Sequence, residues 1–188
     1  MKRIIRALIC EIWTMIKFIL LKAFHWKRFQ FGLINVCSPM SEVDISRKGT
    51  LIIGEKFRMR SNCHLRVRGK ASVTIGKNVT WNYGCMVVGH EQIEIGDNVQ
   101  FGPNVLVYDH DHDFRVEGGL NNSDFVTKPV KIGNNVWIGA NVVILRGTQI
   151  GDGCVVASGS VLNGTYEAGQ VIIQKRHTST MPINGRKE

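Results

Sequence analysis

Acid is scarce in this 188-residue chain: 15 Asp and Glu stand against 24 Lys and Arg, for a net charge of +9. Proline is rarer still, at four residues, and the five cysteines (Cys10, Cys37, Cys63, Cys85, Cys154) show no CxxC or other metal-ligand spacing. That pattern argues against a disulfide framework and a cysteine zinc site, and it fits a reducing, cytoplasmic compartment. The apolar run near the N-terminus is broken by Glu11 and Lys17. A full membrane span is therefore not expected there, and with no small-residue cleavage site following, neither is a secretory leader.

The remainder is ordinary in bulk. With 44% hydrophobic and 21% charged residues, a chain of this length can bury a sizeable core, and one main domain is expected. Its 20 glycines have no collagen period, so they mark recurrent tight turns and direct attention to repeats.

A period of six runs from about residue 50 to 165. The cleanest stretch places Ile132, Ile138, Ile144, Ile150, Val156 and Leu162 in one inward slot, with Val136, Val142, Thr148, Cys154 and Ser160 in a second. The same register recurs at Ile95, Phe101 and Val107, at Ile75, Trp81 and Val87, and at Ile53, Met59 and Leu65. Six residues make one short strand and a turn that cannot bury its own apolar face, so successive coils of three strands must stack. The excess residues between coils are expected to leave the prism as loops, and the long one is residues 109–129.

Residues 4–26 follow a helical period instead. Arg3, Arg6, Glu11, Thr14, Lys17 and Lys22 share one side, and Leu8, Ile9, Ile12, Met15, Ile16 and Ile19 share the other. With Lys27 and Arg28, the first 31 residues hold seven basic side chains against one acid. Two readings stand: an interfacial helix on an anionic membrane, with Trp13, Phe24 and Trp26 near the headgroups, or a helix packed on the prism or between subunits. The chain thus divides into a basic amphipathic helix at 1–31, a repeat domain at 32–168 and a tail at 169–188. The basic residues are interleaved with aliphatics and track no stacking platform, so no nucleic acid partner is expected.

The long loop opens with Asp109-His110-Asp111-His112-Asp113, two imidazoles among three carboxylates. A histidine beside a carboxylate can serve as a general base, because the carboxylate fixes the tautomer and stabilises the imidazolium.

Together the repeats, this loop and the string Ile132-Gly133-Asn134-Asn135-Val136-Trp137-Ile138-Gly139 resemble the hexapeptide acyltransferases, in the branch of galactoside, maltose and polysaccharide O-acetyltransferases. The resemblance implies an all-β fold, a left-handed parallel β-helix, and a homotrimer with active sites between subunits. It also implies acetyl-CoA as donor and a sugar hydroxyl as acceptor. The acceptor would belong to a surface polysaccharide or to its lipid-linked or nucleotide-linked precursor, handled in the cytoplasm or peripherally at the inner membrane face through residues 1–30.

Carried over residue by residue, the resemblance makes His112 the base, since the family histidine stands 17 residues after the aliphatic that here is Ile95. Asp113 joins it as a catalytic residue. Asn82, His110 and Trp137 become acceptor residues. Ala140, Ala157 and Ser158 line the pantetheine groove, a backbone N–H near Ala140 meets the oxyanion, and Lys175 and Arg176 face the CoA phosphates. One departure is visible: the family's closing small-Gly-x-Pro-Ala turn is replaced by Val171-Ile172-Ile173-Gln174-Lys175-Arg176-His177. No metal is expected. Two other readings compete with it, a γ-carbonic-anhydrase-like metal site using His90, His110 and His112, and a non-catalytic scaffold at the membrane. The first lacks that family's ligand spacing, and the second would need neither the imidazole loop nor Trp137.

Overall fold

In the computed structural model the six-residue period becomes a three-faced parallel β-helix, described for residues 2–117, 119–122, 124–175 and 179. The first face stacks Phe29–Phe31, Thr50–Ile53, Ser72–Ile75, Gln92–Ile95, Val130–Ile132, Gln149–Ile150 and Thr165–Tyr166. The second stacks Val36–Cys37, Arg58–Met59, Thr80–Trp81, Gln100–Phe101, Trp137–Ile138, Val155–Val156 and Val171–Ile172. Glu42–Ile45, His64–Val67, Met86–Gly89, Leu106–Tyr108, Val143–Ile144 and Val161–Leu162 form the third. The ladder thus begins at Phe29, a little before the boundary read from the repeats, and it reaches Ile172 in what was read as tail.

Both inward slots are filled as the period requires. Ile132, Ile138, Ile144, Ile150, Val156 and Leu162 are buried, and so are Val136, Val142, Thr148, Cys154 and Ser160. Each fully covered aliphatic rung contributes about 1.5–3 kcal/mol of hydrophobic burial. In the upstream coils aromatic rungs take over: Trp81 stacks on Phe101 with centroids 5.5 Å apart and meets Phe57 edge-on at 5.2 Å.

The small excesses over eighteen residues do not leave the prism. Where the later coils have two-residue strands, Thr50–Ile53, His64–Val67 and Ser72–Ile75 have four, so the extra residues lengthen two of the faces. Adding residues in pairs preserves the alternation of inward and outward side chains, which is why the hydrophobic register survives. Of the excesses, only the long one at 109–129 departs as a loop.

Glycine and asparagine divide the work at the corners. In Ile75-Gly76-Lys77-Asn78 and Ile95-Gly96-Asp97-Asn98 the asparagines adopt the left-handed conformation, at φ 55° and 58°. The glycines serve a different need: a Cβ on Gly96 would lie 2.7 Å from the carbonyl group of Gly133 in the next coil.

The N-terminal helix α1 (Lys2–Phe24) lies against the first coil with a stripe of mixed character. Thr14 is buried; its hydroxyl bonds the Cys10 carbonyl at 2.6 Å and receives the Cys37 amide at 2.7 Å. Phe18 is buried in an aromatic cluster, with Phe29 and Phe31 both 5.3 Å away. Lys17 Nζ and Lys22 Nζ donate to the carbonyls of Ser41 and Phe29. The apolar face therefore points away from the prism: Leu8, Ile9, Ile12, Ile16, Ile19 and Leu20 are each more than half exposed. Arg3 and Arg6 lie where no side chain is described. All five cysteines are free, and burial pushes the Cys37 thiol up to about 12, which makes it a packing group and not a nucleophile.

Candidate active site

The imidazole loop leaves the prism at the edge between the third and first faces. Its root is Asp109, which stands two residues beyond the inward rung Val107 and is turned inward by the same alternation. Fully buried, Asp109 accepts the His90 amide on Oδ1 at 2.8 Å and the Glu91 amide on Oδ2 at 2.7 Å, and its Oδ1 also faces His110 Nδ1 at 3.2 Å. Burial pushes this carboxyl up, but the hydrogen bonds from His110 and from the two amides outweigh it and hold the group below the ordinary carboxylate range. An ionised carboxylate only accepts, so the His110 tautomer here carries its proton on Nδ1.

Beyond the root the chain forms an antiparallel hairpin, His110–His112 against Phe125–Thr127. Strand alternation puts His110, His112 and Phe125 on one side and Asp111 on the other, where Arg146 Nε donates to Asp111 Oδ2. The His110 ring lies 3.9 Å from the His90 ring at a tilt of 35°, and both rings pack against Phe125. His110 is largely enclosed, with 12% of its side chain exposed, whereas His112 sits 4.7 Å from Phe125 and is open to solvent. Burial and the neighbouring His110 together hold the His90 imidazole below its usual range.

The carboxylates that flank His112 in sequence have partners elsewhere. Asp111 is taken by Arg146, and Asp113 Oδ1 receives the Arg115 amide at 3.1 Å, while the Asp113 amide donates to the Asp124 carbonyl. Asp113 thus ties the turn at the end of the hairpin. His90 and His110 are in ring contact while His112 packs on Phe125, and among the described residues no group of three His, Cys, Asp or Glu is arranged to hold a metal ion.

The other expected residues lie one face away. Asn82, Ala140, Ala157 and Ser158 lie in turns at the edge between the second and third faces, hereafter the small-residue edge; the turn that begins at Gly102 separates Asn82 from Ala140, and Ala157 and Ser158 share the turn after that of Ala140. Coils pack tightly there: a Cβ on Gly139 would meet the Ser158 backbone nitrogen at 2.7 Å. The Ala140 amide donates to Ser158 Oγ at 3.1 Å, and since Oγ there acts as acceptor, the Ser158 hydroxyl still has its proton to donate. Trp137 stands out from the second face, 59% exposed. Lys175 is exposed where the chain leaves the last coil of this edge, and Arg176 lies outside the described residues. Within one prism, then, His110, His112 and Asp113 are gathered at the loop edge, and the third face separates them from Asn82, Ala140, Ala157 and Ser158.

Two contributors have roles that the sequence reading does not give them: Asp109 stands there only as one of the loop's carboxylates, and His90 only as a candidate metal ligand. Asp109 was legible in principle as an inward slot filled by a charge, and His90 only by its place one coil before the loop root.

A family model described as bacterial transferase hexapeptide (six repeats) matches residues 129–164. A putative lipopolysaccharide biosynthesis O-acetyl transferase, WbbJ, of Escherichia coli K12 is 30% identical over 141 residues, covering 68% of this chain and 69% of that protein. The galactoside O-acetyltransferase of the same strain is 38% identical over 92 residues, which span 49% of this chain but only 45% of that enzyme. Among solved structures, a hexapeptide-repeat-containing acetyltransferase of Vibrio cholerae complexed with acetyl coenzyme A superposes with a TM-score of 0.54 at 26% identity, covering 78% of this chain and 67% of that one. With its repeat register, its three-faced prism and its coverage of these relatives in agreement, the chain belongs to the hexapeptide-repeat O-acetyltransferase family.

Proposed function

We propose that this protein is an acetyl-CoA-dependent O-acetyltransferase acting on a sugar hydroxyl, of a surface polysaccharide or of its lipid-linked or nucleotide-linked precursor. The observation that carries the reading is the imidazole hairpin rooted on buried Asp109, at one edge of a prism whose other edge offers a column of small residues. In this mechanism His112, the more open of the two loop imidazoles, takes the proton from the acceptor hydroxyl as its oxygen attacks the thioester carbonyl carbon. The tetrahedral intermediate then collapses with cleavage of the carbon–sulfur bond, and the same imidazole returns the proton to the leaving thiolate. With the Ala140 amide already donating to Ser158 Oγ, the Ser158 hydroxyl is the group that meets the oxyanion, a type of donor worth about 3 kcal/mol. His110, held by Asp109, positions the hairpin beside the acceptor.

Pantetheine lies along Ala140, Ala157 and Ser158, where no long side chain obstructs the edge, with Lys175 and Arg176 toward the CoA phosphates. Because the base and this column stand on opposite edges of one face, a second copy must supply the hairpin, which supports a homotrimer with His112 of one subunit facing Asn82 and Trp137 of the next. The deciding experiment is transfer from labelled acetyl-CoA to a panel of free, nucleotide-linked and lipid-linked sugars; absence of acetyl-CoA binding would overturn the reading.

The protein acts at an anionic membrane surface, on its cytoplasmic side, with α1 lying in the interface. Among the described residues no helix is long and apolar enough to cross a membrane. The support is the outward apolar face of α1 together with exposed Phe24 and Trp26 and the cations Lys27 and Arg28 beside them.

A further inference from the structure

Two guanidinium groups on the small-residue edge are set apart from the other arginines of their coil. Arg58 and Arg60 occupy outward positions two apart at the end of the second-face strand Arg58–Met59, and both are exposed. Among the described residues neither forms an ion pair, whereas Arg66 and Arg68, farther along the same coil, are committed to Glu42 and Asp44. Arg60 is nonetheless held in place: its Nη1 donates to Tyr83 Oη at 3.1 Å, and its guanidinium lies 5.2 Å over the Tyr83 ring.

The two arginines border a groove of about 560 Å³ whose opposite wall is α1. Ser38, Ser61 and Thr80 line the same space, with the Ser38 and Ser61 hydroxyls hydrogen-bonded to each other at 2.9 Å, and among the described residues Glu11 on the helix is the only acid lining it. Two cations about 7 Å apart along a strand, with hydroxyl donors between them, exceed what one carboxylate can use. They match an anion with several oxygens on adjacent centres, which is the chemistry of a phosphate or diphosphate ester.

Position identifies what that ester is attached to. Arg58 pairs in register with Thr80, so the turn holding Arg60 lies one coil, about 4.8 Å, from the turn holding Asn82. Ala140 and Ser158 follow on the opposite side of Asn82 along this edge. An anion at Arg58 and Arg60 is therefore one sugar ring from the acceptor hydroxyl and does not overlap the donor's path. The geometry points to Arg58, Arg60 and the Ser38, Ser61 and Thr80 hydroxyls as a subsite for the phosphate or diphosphate that joins the acceptor sugar to its carrier. The inference rests on the O-acetyltransferase reading for the place of the sugar, and on the groove alone for the anion.

The test titrates full-length protein with inorganic pyrophosphate by calorimetry, and separately with acetyl-CoA. Pyrophosphate should bind, with affinity falling as salt rises. Arg58→Gln, which among the described residues breaks no ion pair, should weaken binding about threefold or more. Arg58→Gln with Arg60→Gln should weaken it at least tenfold, and Glu11→Gln should strengthen it. Acetyl-CoA affinity should be the same in all variants. UDP-glucose and farnesyl diphosphate in detergent micelles then compete with pyrophosphate; the stronger competitor identifies a nucleotide or a lipid carrier, and either outcome supports the subsite. Wild-type protein that ignores pyrophosphate, a double variant that binds it unchanged, or competition no better than that of unphosphorylated glucose would overturn it. Loss of acetyl-CoA binding in the wild type would instead strike the enzymatic reading and leave the pyrophosphate result standing.

Discussion

Asp109 Oδ1 faces His110 Nδ1 at 3.2 Å while the same carboxylate receives two backbone amides from the preceding coil, so one buried charge fastens the hairpin to the prism. Asn in its place keeps the shape but supplies only one acceptor oxygen, and its amide group then meets a donor. Asp109→Asn should cost about 1–3 kcal/mol, the usual penalty for an unsatisfied buried group, and it should speed amide exchange across residues 109–128 more than in the coils. Because this carboxyl is held below its unfolded value, its contribution is present above about pH 4 and is lost as pH falls through the folded value. Unchanged hairpin exchange in Asp109→Asn would show that the root is held by other contacts.

Glu42 makes a second, separable acid-sensitive contact. Hydrogen bonds from Arg66 and His64 hold its carboxyl down to about 2 against a small opposing effect of burial. The stabilisation is complete above about pH 4.3 and fades as pH falls from there toward 2. With 38% of the side chain exposed, the net effect belongs with surface pairs, below about 1 kcal/mol. Wild type should melt slightly above Glu42→Gln at pH 7, and the two curves should converge near pH 2. A gap that persists in acid would contradict the assignment.

The coil register can be tested at Gly96, where a methyl group would meet the Gly133 carbonyl group at 2.7 Å and Asn134 Oδ1 at the same distance. Backbone cannot move aside as a side-chain tip can, so Gly96→Ala should lower stability by about 1–3 kcal/mol. Asn98→Ala forces alanine into φ 58° and removes the 3.1 Å bond to Asn135, for a loss of about 1–2 kcal/mol. Thermal melts of both variants check the division of labour between the two residue types.

The architecture was legible because a hexapeptide period leaves few folds open: the buried slots from Ile132 to Leu162 follow directly from spacing. What the period could not convey was how coils of different length stay in register. Only the structure shows that the extra residues around Ile53 and Ile75 extend strands in pairs. The orientation of α1 was ambiguous for a related reason, since amphipathicity reveals two faces but not which one a neighbour will take. Thr14 and Lys17 find backbone partners on the first coil, so the polar stripe turned inward. At the loop, the run of alternating Asp and His suggested flanking carboxylates for His112, yet alternation on a strand sends neighbours to opposite sides, and Arg146 takes Asp111.

That orientation of α1 determines how its membrane contact is tested. Deleting residues 1–30 would remove Phe18 and Phe29 from the core, so a loss of binding in that truncation would be uninterpretable. Ile12→Glu with Ile16→Glu changes only the exposed face. The pair should release the protein from vesicles containing anionic lipid, while its thermal stability stays close to that of wild type. Vesicle flotation that is equal for the two proteins would leave the apolar face to a second copy of the chain, which the oligomeric state of the variant would reveal.

The base assignment separates two imidazoles on the same side of one hairpin. His112 is open to solvent against Phe125, while His110 is enclosed by His90, Phe125 and Asp109. An open imidazole can receive a proton from a substrate hydroxyl directly, and an enclosed one bonded to a carboxylate can hold the strand that presents it. His112→Ala should therefore lower turnover by roughly a hundredfold to ten-thousandfold, with acetyl-CoA affinity and assembly unchanged. His110→Ala should lower turnover less, while raising KM for the acceptor and loosening the hairpin, and His110→Asn should recover part of the loss if it can still donate to Asp109. Should His110→Ala abolish turnover while His112→Ala spares it, the Asp109–His110 pair itself is the base. Should neither substitution matter, proton transfer does not pass through this hairpin, and the mechanism falls with it.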